Sequence, residues 1–137
     1  MNKWEQEPDR VEFEHCGFKC LIVRHPESKH LCGYVGLPRW HPYYGREYDD
    51  IDVDVHGGLT FSREGIGETW DKGFWYLGFD CAHGGDLIPG HTEFSKKLGM
   101  ELDEVYRNIE YVREETMQLA EQMTATAIAE RKFTNEY

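Results

Sequence analysis

The sequence predicts an α+β fold: an antiparallel sheet of about four strands with one long C-terminal helix packed on one face. Three observations predict it. Between Asp50 and Ala82, apolar residues recur at every second position in two stretches. Two shorter runs rich in Leu, Ile and Val precede them. After Leu102 the apolar spacing changes to three and four. With 137 residues and a mass of 16.1 kDa, residues 1–137 fit one domain, long enough to build a core without staples.

The elements follow in order. Residues 1–10 are polar and are expected to be flexible. Phe18–Arg24 reads as a strand and Leu31–Leu37 as the next, joined by a turn over His25-Pro26-Glu27-Ser28-Lys29. Pro38–Tyr48 is aromatic and turn-rich, with room for a short helical turn at most. Asp50–Ser62 gives the clearest strand pattern: Ile51, Val53, Val55, Leu59 and Phe61 share one parity, and Asp50, Asp52, Asp54, His56, Thr60 and Ser62 share the other. Phe74–Ala82 mirrors it, with Trp75, Leu77, Phe79 and Cys81 on the apolar side. Paired as a hairpin with Phe61 opposite Trp75, the two strands set His56 opposite Asp80, Gly58 opposite Gly78 and Thr60 opposite Tyr76. Residues 84–99 read as irregular. The helix is expected from about Leu102 to Arg131, about 45 Å long at 1.5 Å per residue. That exceeds the width of so small a domain. Met123–Ala129 therefore either packs on a second copy, making a homo-oligomer, or wraps its own sheet and ends in a solvated tail.

Charge and composition exclude some functions. Asp and Glu number 26 against 15 Lys and Arg, a net charge of −11, so non-specific nucleic-acid binding is not expected. An aromatic share of 14% argues against a disordered chain. No apolar run approaches the roughly 20 residues of a membrane-spanning helix. Met1-Asn2-Lys3-Trp4-Glu5 lacks the apolar centre of a signal peptide, so a cytoplasmic protein without membrane association is expected. Cys16, Cys20, Cys32 and Cys81 are then expected to be reduced, as small buried hydrophobes. A zinc site from Cys16, Cys20 and Cys32 with His15 or His30 is the weaker alternative, because no Cys-x-x-Cys pair is present.

The polar side of the central hairpin gathers unusual chemistry. Asp52, Asp54, His56, Thr60 and Asp80 converge there, and His83 and Asp86 follow at once. Gly57-Gly58 and Gly84-Gly85 flank the two histidines and leave room for close approach. The first reading is a binding pocket without turnover. Asp54, His56, Thr60, Asp80, His83 and Asp86 would line it, and Trp40, Tyr43 or Trp70 would be its stacking walls. Arg39, Arg46 and Arg63 on neighbouring loops could meet phosphate or carboxylate. The second reading is a divalent metal held by His56, His83 and Asp86, with Asp80 nearby, whose bound water would make the protein a hydrolase. A third is a thiolate nucleophile at Cys81 beside His56 or His83, set against the buried parity of Cys81. The bland alternative is a cross-strand His–Asp pair on a solvated face. A protein of another class would bind a host protein through its acidic surface and act as an inhibitor.

Four strings carry a resemblance. Gly33-Tyr34-Val35-Gly36-Leu37-Pro38, His41-Pro42-Tyr43-Tyr44-Gly45, Asp54-Val55-His56-Gly57-Gly58-Leu59-Thr60-Phe61 and Gly78-Phe79-Asp80-Cys81-Ala82-His83-Gly84-Gly85-Asp86 together resemble a group of small bacteriophage and prophage proteins. The resemblance spans residues 18–131. It implies a phage protein acting in the cytoplasm of a bacterial host, and it implies host takeover or anti-defence. Sequestering or degrading a nucleotide signal belongs to that class. The resemblance assigns no residue a role.

Overall fold

The computed structural model describes residues 3–65, 70–91 and 105–135. Five strands form one antiparallel sheet: β1 (Arg10–His15), β2 (Phe18–Arg24), β3 (Leu31–Pro38), β4 (Phe61–Glu64) and β5 (Phe74–Asp80), in the order β1-β2-β3-β5-β4. One long helix, α1 (Ile109–Asn135), packs on one face. The α+β class is therefore as the sequence predicts, with five strands rather than four.

The extra strand is β1, in a stretch that overlaps the segment expected to be flexible. Val11 and Phe13 pack on the core, while Arg10, Glu12 and Glu14 are exposed. Cys16 and Gly17 turn β1 into β2 with φ of +55° and +80°, and His15 faces Phe18 across the turn. Two successive left-handed residues give a turn whose twist matches the strands. Upstream, Lys3–Gln6 makes a 3-10 turn.

The sheet and helix interlock through small residues. On β3, Leu31, Val35 and Leu37 face α1; on β5, Leu77 and Phe79 do, and on β2, Cys20 and Ile22 do. From the helix, Val112, Thr116, Leu119, Ala120 and Met123 are all fully buried, at spacings of three and four. Gly33 lies beneath this contact. A Cβ there would stand 2.4 Å from Thr116 Oγ1 and 2.6 Å from the Phe79 ring, so only glycine fits. Met123 thus belongs to this chain's own core, and the helix wraps its own sheet at that point; Ile128 beyond it is exposed.

Three expectations are corrected. Asp50–Ser62 is not one strand. Tyr48–Asp50 is a 3-10 turn, residues 51–60 are irregular, and only Phe61–Glu64 joins the ladder. Ile51 and Val55 are nevertheless buried, with Val53 and Leu59 packed beside them. The alternation is real, but the backbone bonds go elsewhere: Gln122 on α1 accepts from Asp54 N at 2.8 Å and donates to Asp54 O at 2.7 Å. The register also differs, with Phe61 opposite Gly78 and Glu64 opposite Trp75. His56 and Gly58 therefore have no strand partner. The helix starts later than expected. Leu102 lies outside the described residues, and 105–108 are not helical. Asn108 Oδ1 accepts from Tyr111 N at 2.8 Å, and Glu7 Oε2 accepts from Ile109 N at 2.8 Å. A cap and an anion at the first turn fix the start there.

Candidate functional site

Three segments meet at the start of α1: the turn after Val55, the stretch 80–86 that leaves β5, and residues 107–111. Val55 O accepts from Gly58 N at 2.9 Å, and Gly57 and Gly58 have φ of +69° and +81°. His56 sits within this turn. A parallel bridge joins Asp86 to Val105, with Val105 N donating to Gly85 O at 2.9 Å, so the chain entering α1 is tied to the 83–86 turn.

Asp86 is the centre. It is 1% exposed and collects three donors. Arg107 Nε donates to Oδ1 at 2.9 Å, His56 Nε2 approaches Oδ2 at 2.8 Å, and His83 N donates to Oδ2 at 3.1 Å. Burial by itself pushes a carboxyl up, but these bonds outweigh it and hold Asp86 below the usual carboxylate range. An ionised Asp86 only accepts, so His56 Nε2 carries a hydrogen. In the neutral imidazole, Nδ1 then accepts from the Tyr111 hydroxyl, 2.8 Å away. The Tyr111 ring stands perpendicular to His56, with centroids 5.4 Å apart, and the Arg107 guanidinium lies 5.0 Å over the same ring.

His83 completes the group. Its ring lies against Gly57, where a Cβ would stand 2.2 Å from Cδ2, and its centroid is 5.9 Å from that of His56. Nε2 is 3.1 Å from Asp80 Oδ1, yet it is buried and has no hydrogen-bond partner among the described residues. The distance is short enough, but the direction is wrong. Asp80 instead accepts from Thr60 Oγ1 at 3.2 Å and from Ala82 N at 3.1 Å.

The fold thus brings together His56, Thr60, Asp80, His83 and Asp86 from the sequence reading. Asp54 is exposed and held through its backbone by Gln122. Arg39, Trp40 and Tyr43 follow β3 and lie at the end of the sheet opposite Asp80, about 20 Å along β5 at 3.3 Å per residue. Trp40 packs on Phe18 and His41, and Tyr43 on His41 and Arg46. Trp70 sits on the sheet face away from α1, edge-on to Tyr34 and Tyr76. None of the four walls or anchors the histidine cluster. Tyr111 and Arg107 do, and no sequence signal marked them, because helical spacing only separates core from non-core faces.

The cysteine readings also resolve. All four thiols are free. Burial pushes the Cys81 thiol far up, which removes it as a thiolate nucleophile. Cys20 faces α1 and Cys32 faces the opposite side of the sheet, so one ion cannot take both. As for a divalent metal, both His56 nitrogens already have partners, and Asp86 is shared among three donors. Among the described residues, no group of three or more His, Cys, Asp or Glu is arranged to hold a metal ion. Nor is any described helix long and apolar enough to cross a membrane.

No protein-family model, curated protein or solved structure matches this chain.

Proposed function

We propose that this is a small ligand-binding protein of phage type, whose site is the cluster of His56, Thr60, Asp80, His83 and Asp86 with Arg107 and Tyr111. The observation that carries this reading is the buried Nε2 of His83. A buried polar atom without a partner costs free energy, commonly about 1–3 kcal/mol, unless something satisfies it. Here it stands 3.1 Å from the Asp80 carboxylate, which also takes the Thr60 hydroxyl, while Asp86 holds His56 and Arg107 in the same site. A ligand with both acceptor and donor groups, such as a nucleobase or another polar planar ring, would satisfy His83 and Asp80 together.

The resemblance to phage proteins supplies the biology: sequestering or degrading a nucleotide-like signal in the cytoplasm of a bacterial host. The metal-dependent hydrolase is less well supported, since a metal at His56, His83 and Asp86 would have to displace Arg107 or Tyr111 from its partner.

Native mass spectrometry of protein purified without chelator tests the reading. The expected result is a retained small-molecule mass that is absent from His56→Ala, with the variant still folded by circular dichroism. Retention in that variant sinks the assignment, and a stoichiometric metal redirects it to hydrolysis.

A further inference from the structure

We infer that Tyr111 is a base-activated nucleophile, served by His56 and oriented by Asp86, and that it attacks a phosphoryl centre. Asp86, His56 and Tyr111 form a chain of hydrogen-bonding contacts. Asp86 accepts from His56 Nε2, and in the neutral form of the ring Nδ1 is then the acceptor that faces the Tyr111 hydroxyl at 2.8 Å. That is the nucleophile–base–orienter order of acyl- and phosphoryl-transfer sites, built on a phenol. Burial, followed by Glu115, holds the Tyr111 phenol above its ordinary range, so no phenolate stands ready and the base has to act during the attack. The Arg107 guanidinium, 5.0 Å over the Tyr111 ring, adds a positive field beside the nucleophile.

In the step, the Tyr111 oxygen bonds to phosphorus while its proton passes to His56 Nδ1. The bond from phosphorus to the leaving oxygen breaks, and that oxygen leaves with the proton from His56. Water then attacks the phosphotyrosyl ester, giving one proton to His56. That proton returns to the Tyr111 oxygen as the ester breaks, so the net change is hydrolysis. The phosphoryl class rests on the nucleotide-like ligand proposed above; the nucleophile does not. Asp86 is a positioning residue, acting through His56 and through Arg107.

Two probes test this. The first is an aryl sulfonyl fluoride, with labelled tyrosines mapped by mass spectrometry. On the folded wild type, Tyr111 should label faster than Tyr48, which is 40% exposed. Base catalysis predicts a Tyr111-to-Tyr48 ratio lower in His56→Ala on the order of a hundredfold. In Asp86→Asn the ratio should also fall, with the Tyr48 rate unchanged, which loss of stability alone would not produce. If Tyr111 labels no faster than Tyr48 in the wild type, the nucleophile is overturned, whether or not the variants fold. The second probe is bis(4-nitrophenyl) phosphate. It should leave a phosphoryl adduct on Tyr111 with release of nitrophenolate. Sulfonyl labelling without that adduct overturns the phosphoryl class and leaves the nucleophile standing. Neither result depends on whether a small molecule co-purifies, so the binding reading fails or holds separately.

Discussion

Two charged networks meet the start of α1, and consecutive residues feed them: Tyr106 enters one and Arg107 the other. In the first, Arg24 has a side chain only 3% exposed. Its guanidinium donates to Asp9 at 2.9 Å, to Lys29 O at 2.8 Å and to Tyr106 Oη at 3.0 Å, and it lies 3.4 Å from Glu7. Glu7 also takes the Tyr106 hydroxyl at 2.5 Å and Ile109 N at 2.8 Å. The Trp4 ring covers Arg24. Donors and acceptors are matched, and the network ties the N-terminal segment, the β2–β3 turn and the helix start together. The second network sets histidines among its Arg, Asp and Tyr and leaves His83 Nε2 without a hydrogen bond, one of two buried side-chain atoms so placed among the described residues, the other being His30 Nδ1. A network that satisfies itself is structure. One that leaves a buried donor or acceptor unmatched is where a ligand is to be sought.

The largest expected effect separates them by stability. Arg24→Ala removes a guanidinium that is 3% exposed from Asp9, Lys29 O and Tyr106 Oη at once, leaving Glu7 only the Tyr106 hydroxyl and Ile109 N, and removing one partner of such a network costs about 3–5 kcal/mol. Urea unfolding should show that loss. A change below about 1 kcal/mol would mean that water reaches the network and that it does not bind the N-terminal segment to the helix. Arg107→Ala should cost less, about 1.5–3 kcal/mol, because Asp86 keeps the donors from His56 and His83. The same substitution should raise the Asp86 carboxyl. With its folded value depressed, Asp86 stabilises the fold above the unfolded pKa of about 3.9 and loses that contribution as pH falls through the folded value. Without Arg107 the acid limb of the stability curve should therefore move to higher pH. If Arg107→Ala matches Arg24→Ala in cost, the two networks are both structural and the contrast collapses.

Gly57→Ala sharpens the contrast at smaller cost. A side chain at φ of +69° costs about 1–2 kcal/mol, and the new Cβ would fall 2.2 Å from His83 Cδ2. The ring has to move while the sheet stays intact. Loss of the co-purified mass, with only that small drop in urea midpoint, would place His83 in the ligand site. An unchanged mass would remove it.

Much of this was legible, and the misses have definite causes. The helix-facing residues of β2, β3 and β5 follow from parity, and those of α1 follow from spacing. The Arg10–His15 strand carried the same parity, with Val11 and Phe13 inward, but it is short, charged at alternate positions, and follows directly on the polar residues 1–10. What fixes it is the left-handed Cys16-Gly17 turn, which propensity alone does not announce. Residues 51–60 show the reverse failure: burial alternates, yet Gln122, far off in sequence, satisfies the Asp54 backbone in place of a neighbouring strand. Parity reports which side is buried and says nothing of the hydrogen-bond partner. The site was half visible for the same reason. His56, His83, Asp80 and Asp86 are close in sequence to glycine pairs, whereas Arg107 and Tyr111 reach the cluster only because Asn108 and Glu7 start the helix where they do.

The smallest effect concerns a histidine that belongs with the satisfied network in kind. His41 is buried, its Nδ1 accepts from Tyr43 N at 3.0 Å, and its Nε2 donates to Met123 O at 2.8 Å. Both nitrogens are matched in the neutral ring, so protonation would break the Tyr43 bond and bury a charge. Burial accordingly lowers the His41 pKa, against a weaker opposing pull from the Met123 carbonyl. His30 is lowered too, by burial and then by His25 stacked 5.1 Å away. A histidine depressed in the folded state is protonated first in the unfolded one. Stability is therefore full above the unfolded value of about 6.5, falls as pH drops below it, and levels off under the folded value. Each pKa unit of depression is worth about 1.4 kcal/mol. The urea midpoint should fall between pH 7.5 and pH 5.5, and less so in His41→Gln, whose amide can keep both bonds without titrating. A midpoint equally pH-dependent in the two proteins would shift the acid sensitivity from His41 to the other histidines, His30 first.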